Sequence, residues 1–173
     1  MLPQLSGGSQ ERQRRAGTEN VAGIAGFARA LELVHGDEAA RDAENARLVA
    51  LRDEMIESLA SIEGAEPTGH PTERLPSHAS FVFGGVEGGD LVAALDLEGV
   101  QASTGSACTT GSADPSHVLL AMGLAPELAH GSLRLTAGRG TTREEITVAL
   151  AAVHAVVGRL RAAARRQQVA APA

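Results

Sequence analysis

The chain is 173 residues long, 43% hydrophobic, and carries a formal net charge of −6 with a pI near 5.5. That length suits one domain with a real core, while the acidity leaves no basic field for phosphates and argues against nucleic acid as a partner. With three Phe and neither Tyr nor Trp, few rings are available for stacking on bases. No uninterrupted apolar run approaches the roughly 18–20 residues that span a bilayer, so no membrane partner is expected. Residues 1–10 lack the charged and apolar regions of a signal peptide. The single cysteine excludes an internal disulfide and makes a reducing, cytoplasmic setting the expectation.

Residues 1–15 are polar and Gly-rich, which reads as a loop belonging to a larger domain. Thr18 or Glu19 is expected to open a helix with Val21, Ile24, Ala28 and Leu31 at helical spacing, stopped by His35-Gly36. A long helix is predicted over 37–62, with Leu48, Leu51, Met55, Leu59 and Ile62 on one stripe. The stretch 64–76, with three prolines and two glycines, reads as a connector. Alternation predicts a strand over 79–83, and a short helix follows over 90–98. Residues 100–103 read as a second strand, 115–122 and 126–130 as short helices, and 132–136 as a third strand. Thr142-Arg143-Glu144-Glu145 has capping-box form before a helix that presents Ile146, Leu150, Val153, Val157 and Leu160, with fraying expected from Arg161. The fold class expected is α/β in the broad sense: a short, mostly antiparallel sheet with helices on one face and long linking helices. The expected division is 1–35 as the end of a larger domain, 36–165 as a C-terminal small domain, and 166–173 as a flexible tail.

Two facts frame the chemistry. Cys108 is the only thiol, and no lysine occurs because all 15 basic residues are arginine. The cysteine sits in 103–112, which holds six Ser or Thr and two Gly but no large apolar side chain, so the segment gains little by ordering. A thiolate is the reactive form of cysteine; a small buried hydrophobe is the competing reading. Metal binding is not expected, since there is no second thiol and the six histidines show no ligand-pair spacing. Arg134 interrupts an apolar strand. Its planar fork either pairs with a carboxylate or simply faces solvent by alternation. The Gly7-Gly8 turn and the Arg14-Arg15-Ala16-Gly17-Thr18 stretch could cradle a phosphate, or form a plain polar loop.

Several motifs occur in a fixed order. Gly-Gly-x-Gln-Glu-Arg-x-x-Arg-x-Gly-Thr-Glu-Asn is followed by Arg74-Leu75-Pro76 and a Ser-Phe-x-Phe strand. Ser-x-Gly-Ser-Ala-Cys and Asp114-Pro115-Ser116-His117 come next, then Ser132-x-Arg134 and Gly138-Arg139-x-Thr141-Thr142. From about Leu5 to Leu160 this series closely resembles the C-terminal part of the cysteine desulfurases, pyridoxal 5'-phosphate enzymes of the class-V aminotransferase family and fold type I.

The resemblance implies that Cys108 takes sulfur from L-cysteine as a persulfide, leaving alanine, and it also admits Cys108 as a transient iron–sulfur ligand. It implies that Arg134 binds the substrate carboxylate and that Thr18 contacts the cofactor phosphate of a partner subunit in a homodimer. A sulfur-acceptor or iron–sulfur scaffold protein would receive the sulfur. The lysine that would hold the cofactor is absent from this chain, so the polypeptide is expected to be part of an enzyme and inactive alone. Ser9, Gln13 and His78 stand where the family more often has Gly, Gly and Asn. The alternatives are a related class-V enzyme, such as a selenocysteine lyase or an aminotransferase-like protein, and a non-catalytic remnant that keeps only a docking surface.

Overall fold

The structure, a computed structural model, describes residues 2–105 and 114–170. The chain divides into two units, Met1–Ala43 and Glu44–Ala173. The first unit contains the turn α1 (Gln10–Gln13), in which Glu11 and Arg12 have left-handed backbone angles (φ 51° and 56°), and the helix α2 (Val21–His35). The helix is capped by Asn20, whose side chain accepts the Gly23 N–H at 2.9 Å. Thr18 therefore lies ahead of the cap and does not open the helix itself. Val21, Ile24, Ala28 and Leu31 recur at the expected spacing, yet all four are exposed, and no described residue of 2–43 is buried.

Helix α3 (Glu38–Ala60) begins in the first unit and continues into the second. Asp37 caps it, accepting the Ala40 N–H at 2.9 Å. The second unit continues with β1 (Ala65–Pro67), β2 (His78–Phe83), α4 (Gly88–Leu97), α5 (His117–Ala121), α6 (Pro126–Ala129), β3 (Ser132–Thr136) and α7 (Arg143–Ala170). The strands form one antiparallel sheet in the order β1-β2-β3. Strand β1 was expected to be connector. Its short length and Pro67 give no alternation to read, and proline is tolerated there because β1 is an edge strand. Conversely, 100–103 is not a strand: only Ser103 bridges, opposite Arg134.

Period-two alternation places the core. Ala79, Phe81 and Phe83 of β2 and Leu133 and Leu135 of β3 point to one face, paired Phe81 with Leu133 and Ala79 with Leu135. Against that face pack Leu51, Met55 and Leu59 of α3, Leu91 and Leu95 of α4, and Ile146, Leu150, Val153, Val156 and Val157 of α7. Helices were expected on one face only. Val82, pointing the other way and fully buried, gathers a second small cluster with Leu119 and Ala129 from the region of α5 and α6.

Helix α7 is longer than expected, remaining helical to Ala170. The stretch Arg143–Gln167 is long and apolar enough, by length and composition alone, to cross a membrane, against the sequence expectation. Its alanines raise the hydropathy without forming an uninterrupted apolar run, and its larger side chains form a stripe buried in the core. The capping box is formed as expected: Glu145 N–H donates to Thr142 Oγ1 at 3.2 Å, and Thr142 N–H to the Glu145 carboxylate at 2.8 Å.

Two close approaches fix the sheet's end. Phe83 N–H donates to Gly131 O, and Gly88 N–H to His130 O, each at 2.9 Å. A Cβ on Gly131 would collide with Phe83 O and lie 2.8 Å from Val86 O. Gly131→Ala is expected to destabilise the fold by about 3 kcal/mol, read as a lower urea midpoint at unchanged slope.

Arg47 of α3 ties down the turn before α7, donating to Thr141 O at 2.7 Å, Gly138 O at 3.0 Å and Arg139 O at 3.2 Å. It also pairs with Glu44 at 2.8 Å, and that hydrogen bond holds the Glu44 carboxyl below the ordinary carboxylate range. A carboxyl whose pKa is lower in the folded state stabilises the fold above its unfolded value of about 4.5 and loses that contribution as pH falls through the folded value. Arg47→Ala is expected to lower the thermal unfolding midpoint by freeing the turn before α7. Glu44→Gln should flatten the fall of stability as the pH drops below about 4.5.

Candidate functional site

The face of the sheet opposite the main core carries polar side chains beside the buried Val82. With Leu133 and Leu135 turned into that core, Ser132, Arg134 and Thr136 turn away from it. Arg134 N–H donates to Ser103 O at 2.7 Å, and Ser103 N–H returns the bond to Arg134 O at 3.2 Å. Both polar backbone atoms of Arg134 therefore point toward Ser103. On its β2 side Arg134 and Ser80 form a non-hydrogen-bonded pair, the arrangement that brings side chains closest. Ser80, Arg134 and Ser103 thus form a row across the sheet.

The row is held from its edge. Thr68, just past β1, donates from Oγ1 to Ser80 Oγ at 2.7 Å and from its N–H to Ser80 O at 2.8 Å. Arg74 closes the next turn by donating to Thr68 O at 2.7 Å and His70 O at 2.9 Å. His78, in register with Thr136, has Nδ1 2.8 Å from Ser77 Oγ.

Arg134 is half-buried. Among the described residues its guanidinium has neither an ion pair nor a side-chain hydrogen bond. Other buried and partly buried arginines are engaged, among them Arg52 with Asp53 and Leu75 O and Arg161 with Gly84 O and Glu63 O. A half-buried fork whose donors have no partner among the described residues is suited to a planar carboxylate arriving from outside.

Thr18 lies in the first unit, exposed, between Gly17 and the Asn20 cap. Arg15 beside it donates to Gly17 O at 2.6 Å and lies 3.9 Å from both Glu11 and Glu19, so it is committed locally. Cys108 lies outside the described residues, as does the rest of 106–113. Pairing within the site is therefore seen for Arg134 and its serines alone. Those serines escaped the sequence reading, although the parity of Ser80, Ser132 and Arg134 relative to their apolar neighbours would have placed them on one face. A groove of about 550 Å³ between the 98–101 turn and the start of α7 is lined by Glu98, Glu144, Glu145 and Leu135 and does not include Arg134.

The absence of lysine limits what these residues can do toward pyridoxal phosphate. They offer a carboxylate-binding cation and an exposed hydroxyl but no amine to attach the cofactor, so they do not form its site by themselves.

The sequence matches the aminotransferase class-V family over residues 4–148. It is 46% identical over 159 residues to a cysteine desulfurase IscS of Methanosarcina thermophila, covering 92% of this chain and 39% of that protein. It is 44% identical over 164 residues to the cysteine desulfurase IscS 1 of Archaeoglobus fulgidus, covering 93% and 41%. Among solved structures, a NifS-like protein from Rickettsia africae superposes with a TM-score of 0.77 at 25% identity, over 91% of this chain and 40% of that one. Another structure described as a NifS-like protein gives 0.76 at 29% identity, over 91% and 39%. The chain thus spans about two fifths of the length of the relatives it matches and belongs to the class-V aminotransferase family, whose members use pyridoxal phosphate.

Proposed function

We propose that this chain is the carboxylate-binding and thiol-bearing part of a cysteine desulfurase. Arg134 aligns L-cysteine through its α-carboxylate, and the Cys108 thiolate takes the substrate's sulfur. The Cβ–S bond of the substrate breaks and an S–S bond forms on Cys108, so the carbon is reduced, the sulfur oxidised, and L-alanine is released once the carbon is protonated. Pyridoxal phosphate, attached to a lysine supplied from outside this chain, serves as the electron sink. Thr18 contacts the cofactor phosphate of a partner subunit in a homodimer. The persulfide passes to a sulfur-acceptor or iron–sulfur scaffold protein in the cytoplasm.

The observation that carries this reading is the half-buried Arg134, unpaired among the described residues and hydrogen-bonded through its backbone to Ser103. Ser103 lies five residues before Cys108 in the sequence. The names of the relatives at 44–46% identity support the same reaction over the related class-V chemistries.

The test mixes the chain with pyridoxal phosphate, L-cysteine and an N-terminal desulfurase half carrying a lysine, following cofactor absorbance and alanine release. Turnover is expected only in the full mixture and should be abolished by Cys108→Ala. A bound cofactor in an assembled complex that releases no alanine would overturn the reading. In the same assembly Arg134→Ala is expected to raise KM for L-cysteine by roughly 10- to 100-fold, the value of a lost charge-assisted pair, measured by initial rates.

A further inference from the structure

The backbone N–H and C=O of successive strand residues point to opposite sides of the strand. Phe83 N–H donates to Gly131 O and Ala137 N–H to Ser77 O, so the odd-numbered positions from 131 to 137 face β2. Ser132, Arg134 and Thr136 therefore turn their backbone atoms to the outer edge of β3. The first two are covered. Arg134 exchanges hydrogen bonds with Ser103. Beside Ser132, Gly105 N–H donates to Ser132 Oγ at 3.0 Å, and a Cβ on Gly105 would lie 3.2 Å from Ser116 Cβ and 3.3 Å from Leu119 Cδ1.

Thr136 is different. Continuing the Ser103–Arg134 register would set Gln101 opposite it, yet the bridge stops at Ser103. Thr136 is exposed, and on this side its N–H and C=O have no partner among the described residues. Gln101 and Thr136 both line the groove of about 550 Å³, together with the apolar Val100, Ile146 and Val148. Val148 is 63% exposed. An unpaired strand edge beside an apolar wall suits an extended segment, whose main chain bonds to the edge while alternate side chains enter the groove.

Charge and chain length select the occupant. Glu98, Glu144 and Glu145 line the same groove; Glu98 pairs with Arg159, and Glu145 accepts the Thr142 N–H. Two copies joined edge to edge would bring these carboxylates against their own images, whereas a basic residue on an incoming segment would complement them. The chain covers 39% and 41% of the two desulfurases compared above, so more than half of such an enzyme lies outside it. We propose that the Thr136 edge and its groove receive an extended, apolar segment carrying a basic residue from the lysine-bearing part of the enzyme, added as a further strand beside β3. The partner's identity rests on the desulfurase reading above, whereas the open edge is a property of the described residues.

The experiment compares the full chain with Thr136→Pro and Glu144→Arg, each alone and mixed with an N-terminal desulfurase half carrying a lysine. Thr136→Pro removes only an outward N–H, which an edge position tolerates, and the exchange protection of the Leu133 and Leu135 amides checks that the sheet is intact. Glu144→Arg changes an exposed side chain and leaves the backbone edge as it is. On mixing, exchange of the wild-type Thr136 amide is expected to slow by about tenfold or more. By titration calorimetry, Thr136→Pro should weaken binding of the half by about five- to tenfold. Glu144→Arg should weaken it by about threefold, an effect that shrinks at about 1 M salt. Failure of the half to bind, an unprotected Thr136 amide in the complex, binding unaltered by either variant, or a chain that dimerises alone with Thr136 protected would each overturn the proposal. A complex with Thr136 protected and binding weakened by both variants, but releasing no alanine, would uphold the edge and reject the desulfurase reading.

Discussion

The alternation of side chains on β3 is the constraint on which the second unit depends. Leu133 and Leu135 enter a core shared with three helices, while Ser132 and Arg134 take the opposite face. A one-residue slip would exchange the two sets, burying a guanidinium among Phe81, Phe83 and Val153 and exposing the leucines. The core therefore specifies the register, and the register specifies the site. Burying leucines on one side of a short strand is what holds an arginine half-exposed and ready on the other.

That arrangement explains how much of the molecule was legible in the sequence. Elements with strong periodicity were readable: the α3 stripe through Leu51, Met55 and Leu59, the Ala79–Phe81–Phe83 alternation, and the Thr142/Glu145 box that starts α7. Elements made by a partner were not. Strand β1 exists because its backbone finds the edge of β2, and no side-chain pattern announces that. Residues 100–103 have strand-like composition, but only Ser103 bridges to β3, and beyond it the Gly105 donor goes to Ser132 Oγ. Arg134 was singled out as an odd charge in an apolar strand. Its serine neighbours come from three separate segments, and only the register brings them into line.

The first unit behaves differently from the second. Its helix is well capped at both ends, by Asn20 and at Gly36, and has correct apolar spacing, so every local signal for a helix is present. Yet Val21 and Phe27 are 70% and 68% exposed, and the described residues of 2–43 enclose no core. Helices of this length draw most of their stability from packing of an apolar face. Local signals thus define the shape of α2 without stabilising it, and periodicity alone reports an intended buried face wherever the burying partner lies.

The meeting of Gly105 with Ser116 and Leu119 has a consequence for chain length. Where two points of a chain are held together by the fold, the entropy of closing the stretch between them grows only with the logarithm of its length, about 0.6 kcal/mol for each doubling. Loop length therefore sets little of the cost of bringing Gly105 against Ser116; what fixes that meeting is the burial of Ser116, Leu119 and Ser132 around it.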